Sequence, residues 1–270
     1  MDYVIKANGE RELFNEDKLR FSIKRAGIQE SLEEKVVNNI KSKLYNNIPT
    51  SEIYSQILNS LGNSHVPYRS RYGLKQAVMH LGPTGFPFED FISEILKDQG
   101  YETEVGSILE GRCVKHEVDV IAEKQGKKIM VEAKFHNAPG TKTDLHVSLY
   151  TKARFDDIKN QHSIDEAWIV TNTKATLSAV SYALCNGMKV ISWSFPQNES
   201  LRDLIEKTGV HPITQISSLS HAQKQILMEN HIVLSRDILK NKSLLDILNI
   251  QEDRRKEILD EIAFVCNLKS

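Results

Sequence analysis

Between Arg112 and Phe135 the chain runs twice with a period of two, over Arg112 to Ala122 and over Lys128 to Phe135, with Glu123-Lys124-Gln125-Gly126-Lys127 between the runs. That period belongs to β-strands, and the glycine-containing link reads as the turn of a hairpin. On the first run Val114, His116, Val118 and Val120 share one face, and Glu117, Asp119 and Ile121 share the other. On the second, Ile129, Val131, Ala133 and Phe135 form an apolar face, which leaves Met130, Glu132 and Lys134 opposite. Alternating charges of this kind ordinarily mark a solvated strand face. Asp119 does not fit that description, because it interrupts Val118-Asp119-Val120-Ile121, a run suited to a buried strand where an unpartnered acid is costly. If Asp119 pairs opposite Glu132, two carboxylates and the Lys134 ammonium converge. Two carboxylates that close repel unless a cation lies between them. Mg²⁺ suits the need, since it is held by one or two carboxylates and keeps several waters, one of which can be activated for attack on phosphorus. Lys134 would orient that water or offset the charge that develops.

Strands and helices alternate around this hairpin. Phe88, Phe91, Ile92, Ile95 and Leu96 repeat at helical spacing up to Gly100. After the hairpin come a helix over Leu149 to Asn160, a strand over Ala167 to Thr171, a helix over Lys174 to Asn186 and a strand over Met188 to Trp193. The pattern predicts an α/β fold. Helix-breaking residues crowd into Leu81-Gly82-Pro83-Thr84-Gly85-Phe86-Pro87, a natural boundary, and beyond Pro196 only short helical patterns remain. Three domains are therefore expected, over residues 1–82, 83–198 and 199–270. Their formal charges are +3, −3 and −1, from 12, 13 and 10 basic against 9, 16 and 11 acidic residues, so no domain is a polycation and any basic face must be local. Cys113, Cys185 and Cys266 are odd in number and never form a CxxC pair, which supports neither a disulfide framework nor a zinc ribbon. No apolar run approaches the roughly 20 residues of a membrane span, and a cytoplasmic protein is expected.

The order Phe88-Glu89, Gly100-Tyr101, Val118-Asp119 and Glu132-Ala133-Lys134, followed by helix, strand and helix, resembles the PD-(D/E)xK nuclease superfamily over residues 84–196. Within it the likeness is to Mrr-type restriction endonucleases and, secondarily, to archaeal-type Holliday-junction resolvases. The resemblance implies a restriction-endonuclease-like core, a mixed sheet flanked by helices. It makes Asp119 and Glu132 metal ligands, Lys134 the catalytic lysine and Glu89 a supporting acid. Val118 stands where the family has proline, and the downstream glutamine of some members has no counterpart. Tyr150, Lys152 and Arg154 are candidate phosphate contacts on the next helix, and Glu94 is left as surface.

At the N-terminus, Asn8-Gly9 joins the short extended runs Tyr3-Val4-Ile5-Lys6 and Glu12-Leu13-Phe14, a strong hairpin signal. Asn15 then caps a helix with acids in its first turn, and Leu32 to Tyr45, Ser51 to Leu61 (capped by Thr50) and Tyr68 to Leu81 follow as helical patterns. Residues 2–82 are similar to the ATP-cone, a mostly helical nucleotide-sensing domain. Val4, Lys6 and Lys18 match positions that grip adenine nucleotide there, while Ala7 replaces the usual arginine. The C-terminal helices faintly resemble helix-hairpin-helix DNA-binding modules, with Asn230 and Asn249 where glycines would stand, although a plain helical cap accounts for them as well.

The resulting expectation is a Mg²⁺-dependent DNA endonuclease of restriction or defence type, responsive to ATP or dATP and active as a homo-oligomer. Two rivals remain at this level: a non-catalytic, nucleotide-responsive DNA-binding regulator, and a structure-selective junction resolvase.

Overall fold

The computed structural model describes residues 2–62, 66–82 and 86–266. Residues 83–85 of the glycine- and proline-rich boundary lie outside that set. The N-terminal hairpin forms as expected, with β1 (Tyr3–Ile5) antiparallel to β2 (Arg11–Leu13). A third strand that the sequence pattern does not announce, β3 (Ile48–Pro49), pairs parallel to β1. Around them pack α1 (Glu16–Arg25), α2 (Glu30–Ser42) and α3 (Thr50–Leu61). Asn15 caps α1, its side chain accepting from the Lys18 N–H at 2.9 Å. Thr50 is not a cap but the first residue of α3, and Pro49 holds the cap position without a side-chain bond. Ile23, Val37, Ile40, Ile48, Ile57 and Leu61, all fully buried, close the core of this part. Instead of one helix over Tyr68 to Leu81 there are two, α4 (Val66–Tyr72) and α5 (Leu74–Met79), broken at Gly73.

The middle of the chain is a five-stranded mixed sheet in the order β10-β8-β6-β5-β4. It comprises β4 (Glu102–Glu110), β5 (Lys115–Lys124), β6 (Lys127–Lys134), β8 (Glu166–Thr171) and β10 (Lys189–Ile191). β5 is antiparallel to both of its neighbours, β4 and β6, while β6, β8 and β10 run parallel. A small parallel pair, β7 (Lys142–Thr143) with β9 (Lys174–Ala175), sits apart from the sheet. On one face lies α6 (Phe86–Asp98), whose Phe88, Phe91 and Ile95 meet Val120, Val131, Ala133 and Val170. Leu74 and Val78 of α5, and Leu201 and Ile205 of α9 (Leu201–Thr208), join the same cluster. On the other face lie α7 (Leu145–His162) and α8 (Leu177–Cys185), with Phe155, Ile158 and Ala183 against Val118, Met130 and Ile169. Trp168 and Trp193 are buried core residues, as their strand settings suggest.

β4 has no counterpart in the sequence reading, because its acids Glu102, Glu104 and Glu110 mask the alternation. Its ladder with β5 omits the pair Gly106 and Asp119, and Gly106 has left-handed backbone with φ +68°. The distortion has a consequence for Asp119. Val118 and Val120 do not share a core, as strict alternation requires, but fall in the clusters on opposite faces of the sheet.

The C-terminal part holds α10 (His221–Glu229), α11 (Ser235–Lys240), a 3-10 turn over residues 242–248 and α12 (Glu252–Cys266). Asn249 takes the left-handed conformation expected of it, at φ +46°, but after α10 His231 does so, at φ +58°, and not Asn230. The buried Glu261 carboxylate accepts from the Ser217 and Ser218 N–H groups and from Ser70 of α4, which fixes this part to the N-terminal helices. The three cysteines are free thiols. Among the described residues, no helix is long and apolar enough to cross a membrane.

Candidate active site

The β5–β6 ladder runs from Lys124 and Lys127 to Val120 and Val131 and goes no further as regular pairing. One residue beyond, the register faces Asp119 towards Glu132, as the hairpin reading anticipates. There the Asp119 carboxylate takes over the work of a backbone carbonyl. Its Oδ2 accepts from the Ala133 N–H at 2.7 Å. The strands thus part while the buried amide stays satisfied, and a carboxyl group is fixed at the mouth of the gap.

Glu132 lies beside it, 13% exposed at the side chain, and its carboxylate is bound by the guanidinium of Arg154 on α7. Arg154 is buried and ion-paired, so the structure does not place it as a phosphate contact on a solvated helix. Lys152 is likewise engaged, with Asp156, and Tyr150 remains exposed. Lys134 ends β6, and its charge acts on both Asp119 and Glu132.

Burial pushes the Asp119 carboxyl above its ordinary range, against the Ala133 hydrogen bond and the Arg154 charge, which pull it down. Burial and the neighbouring Asp119 do the same to Glu132, again opposed by Arg154 and Lys134. Glu89, in the first turn of α6, is half-buried and pushed up to about 7, first by burial and then by the charges of Asp119 and Glu117. The structure therefore gathers Glu89, Asp119, Glu132 and Lys134 at one place, where the carboxylates strain against sharing negative charge. Glu94 stands apart, in ion pairs with Lys97 and Arg236.

Two residues missed in the sequence hold this frame. Asp157 of α7 accepts from the Cys113 N–H at 3.0 Å and contacts His116 at 2.9 Å, and these partners hold its carboxyl down to about 2. It pins the β4–β5 turn to α7. Asn172, fully buried just after β8, accepts from the His136 N–H and donates to the His136 carbonyl, both at 2.8 Å. It clamps the segment that leaves Lys134. Nothing but tertiary structure reveals either role.

A cavity of about 500 Å³ lies in the N-terminal part and is lined by Val4, Lys6, Lys18, Phe14, Ile53 and Tyr54, among others. Val4, Lys6 and Lys18 are thus brought together. Glu12 ion-pairs with both lysines, and they hold its carboxyl down to about 2.

The chain matches the ATP cone domain over residues 2–74, the Mrr-type restriction endonuclease domain over 83–195 and the AF1548-like C-terminal domain over 211–266. An uncharacterized protein of Archaeoglobus fulgidus is 35% identical over 171 residues, which is 63% of this chain and 97% of that protein. The crystal structure of the protein of unknown function AF1548 superposes with a TM-score of 0.56 at 34% identity, covering 67% of this chain and 97% of that one. Can2 from Sulfobacillus thermosulfidooxidans, solved with cyclic tetra-adenylate, aligns at a TM-score of 0.30 and 11% identity, too distant to argue from. The chain belongs to the AF1548-like family, and it joins an ATP cone and a restriction endonuclease domain to the AF1548-like C-terminal domain.

Proposed function

We propose that this protein is a Mg²⁺-dependent DNA endonuclease whose hydrolysis of phosphodiester bonds is controlled by ATP or dATP at the N-terminal cone. Three functional units follow, nucleotide-binding over 1–82, nucleolytic over 83–198 and helical over 199–270. The observation that carries the reading is the meeting of Asp119, Glu132 and Lys134 where the β5–β6 ladder opens, with both carboxylates half-buried and raised in pKa. Such an arrangement suits a hard divalent cation. Mg²⁺ is held by one or two carboxylates and keeps several waters, so Asp119 and Glu132 suffice as its protein ligands.

Asp119 and Glu132 would hold the ion, which when bound supplies a nucleophilic water at neutral pH and offsets charge on the phosphoryl oxygens. Arg154 keeps Glu132 in one orientation. Lys134 faces the same space and stabilises negative charge as it develops on phosphorus. Glu89, poised near neutrality, can hold or release a proton at its carboxyl there. One such site cuts one strand, so duplex cleavage needs two copies of the chain or successive nicks.

The test is relaxation and linearisation of supercoiled plasmid by wild type and Asp119→Asn, with Mg²⁺ or with EDTA, and with or without ATP and dATP. The reading expects Mg²⁺-dependent cutting that Asp119→Asn abolishes and that nucleotide alters. Cutting that survives either Asp119→Asn or EDTA refutes the assignment. DNA binding without cutting in any condition favours a regulator built on a nuclease scaffold.

A further inference from the structure

Beside the nucleotide cavity a second opening of about 270 Å³ is lined by Lys6, Lys75, Lys142 and Lys174, with Glu10 as the sole acid. Lys6, Thr50 and Lys174 line both spaces, so the two adjoin. Lys6 and Lys75 come from the N-terminal part, whereas Lys142 of β7 and Lys174 of β9 belong to the stretch that matches the restriction endonuclease domain. Lys6 and Lys142 each stand 3.8 Å from Glu10. Lys75 and Lys174 make no ion pair among the described residues. Although Lys75 is exposed over its surface, the surrounding protein and the Lys174 charge hold its ammonium below the usual range. Lys6 is shared with Glu12, so the four ammonium groups meet the carboxylates of Glu10 and Glu12, and Lys75 and Lys174 leave an excess of positive charge that a polyphosphate would neutralise.

The two sides of this space are in contact. Gly140 has φ +87°, and a Cβ there would lie 2.8 Å from the Asn8 nitrogen and 2.9 Å from the Ala7 carbonyl carbon. Only glycine lets the loop 135–141 approach the β1–β2 turn so closely. That loop begins immediately after Lys134.

We infer that the nuclease domain completes the nucleotide site: the base occupies the larger cavity, and the phosphates run into the smaller one, onto Lys142 and Lys174. The inference rests on the reading that the N-terminal domain binds an adenine nucleotide. It gives that nucleotide a physical route to the chemistry. Thr143, next to Lys142, bonds Thr171 at 2.9 Å and His136 at 3.0 Å, and Asn172 clamps His136, two residues after Lys134. Phosphates held by Lys142 and Lys174 therefore stabilise one placement of the segment leaving the catalytic lysine.

The experiment is calorimetric titration of the full-length protein with ATP and with AMP, for wild type, Lys142→Ala and Lys174→Ala. Both lysines are exposed, so circular dichroism of the variants should match wild type. Loss of one charge-assisted phosphate contact should weaken ATP by about tenfold and AMP by about twofold or less, collapsing the preference for ATP. Wild type that binds ATP, with variants that bind it equally tightly and keep the same preference, overturns the inference and leaves the nucleotide reading intact. Wild type that binds neither nucleotide overturns both.

Discussion

Arg154 is the only cation ion-paired to Glu132 among the described residues, and its side chain is only 7% exposed. Arg154→Met keeps an apolar stem like that of arginine and removes the charged guanidinium. Glu132 is then left buried beside Asp119 with Lys134 as the remaining nearby cation. Breaking one side of a buried pair costs about 3–5 kcal/mol, because the orphaned charge keeps its desolvation penalty. For a chain of this size that corresponds to roughly 6–20 °C in melting temperature. The cost must depend on pH. Both carboxyls are already raised by burial, and removing the guanidinium raises them further. Folding then favours their protonated forms, so the variant's deficit should be small near pH 5 and grow as the pH rises towards about 8. Thermal unfolding followed by far-ultraviolet circular dichroism at both pH values measures this directly. Adding Glu132→Gln to the variant should restore most of the loss at pH 8, as should millimolar Mg²⁺ if the two carboxylates hold the ion. A deficit that is equal at both pH values, and that Glu132→Gln leaves in place, would refute the electrostatic account and assign Arg154 to packing alone.

Asp119→Asn can still accept from the Ala133 N–H but carries no charge, so cleavage should fall by about a thousandfold or more while the melting temperature stays at or above wild type. Glu89 lies above its ordinary value, so metal-free protein should lose stability as the pH rises through about 7, and Glu89→Gln should remove that slope from the unfolding curves. If Glu89 acts as an ionised group, the rise of cleavage rate across pH 7 at limiting Mg²⁺ should flatten in the same variant. Asn172→Ala leaves the His136 N–H and carbonyl without their buried partner, which should cost about 2 kcal/mol in urea unfolding and depress cleavage with Asp119 and Glu132 left intact. Asn15→Ala should cost about 1 kcal/mol through the lost cap of α1.

Much of the central hairpin was legible because a period of two and an acid in an apolar run survive in one dimension. The Asp119 and Glu132 alignment follows from the turn at Gln125-Gly126 once the strands are counted back from it. What remained hidden is of one kind. β4 carries acids on its exposed positions and has no apolar alternation to betray it. Its distortion at Gly106 is what moves Val118 and Val120 to different faces, and no local rule anticipates that. Arg154, Asp157 and Asn172 act through partners 22, 44 and 36 residues away, over which spacing carries no information. The lysines of the basic opening come from the β1–β2 turn, α5, β7 and β9 and become a cluster only when the chain folds. At Thr50 a good capping residue lost its position because Pro49 had already turned the backbone into the β3 pairing.

The edge strand β4 also bears on how copies of this protein can associate. Its outer rail presents Glu102, Glu104 and Glu110, and it is bent at a left-handed Gly106. A second chain could dock there as a sixth strand only by straightening that bend and bringing the acids close to its own. Growth of the sheet at this end is thereby disfavoured, and with it the simplest path to fibrous self-association. Any pairing of two chains through this sheet is therefore to be sought away from β4.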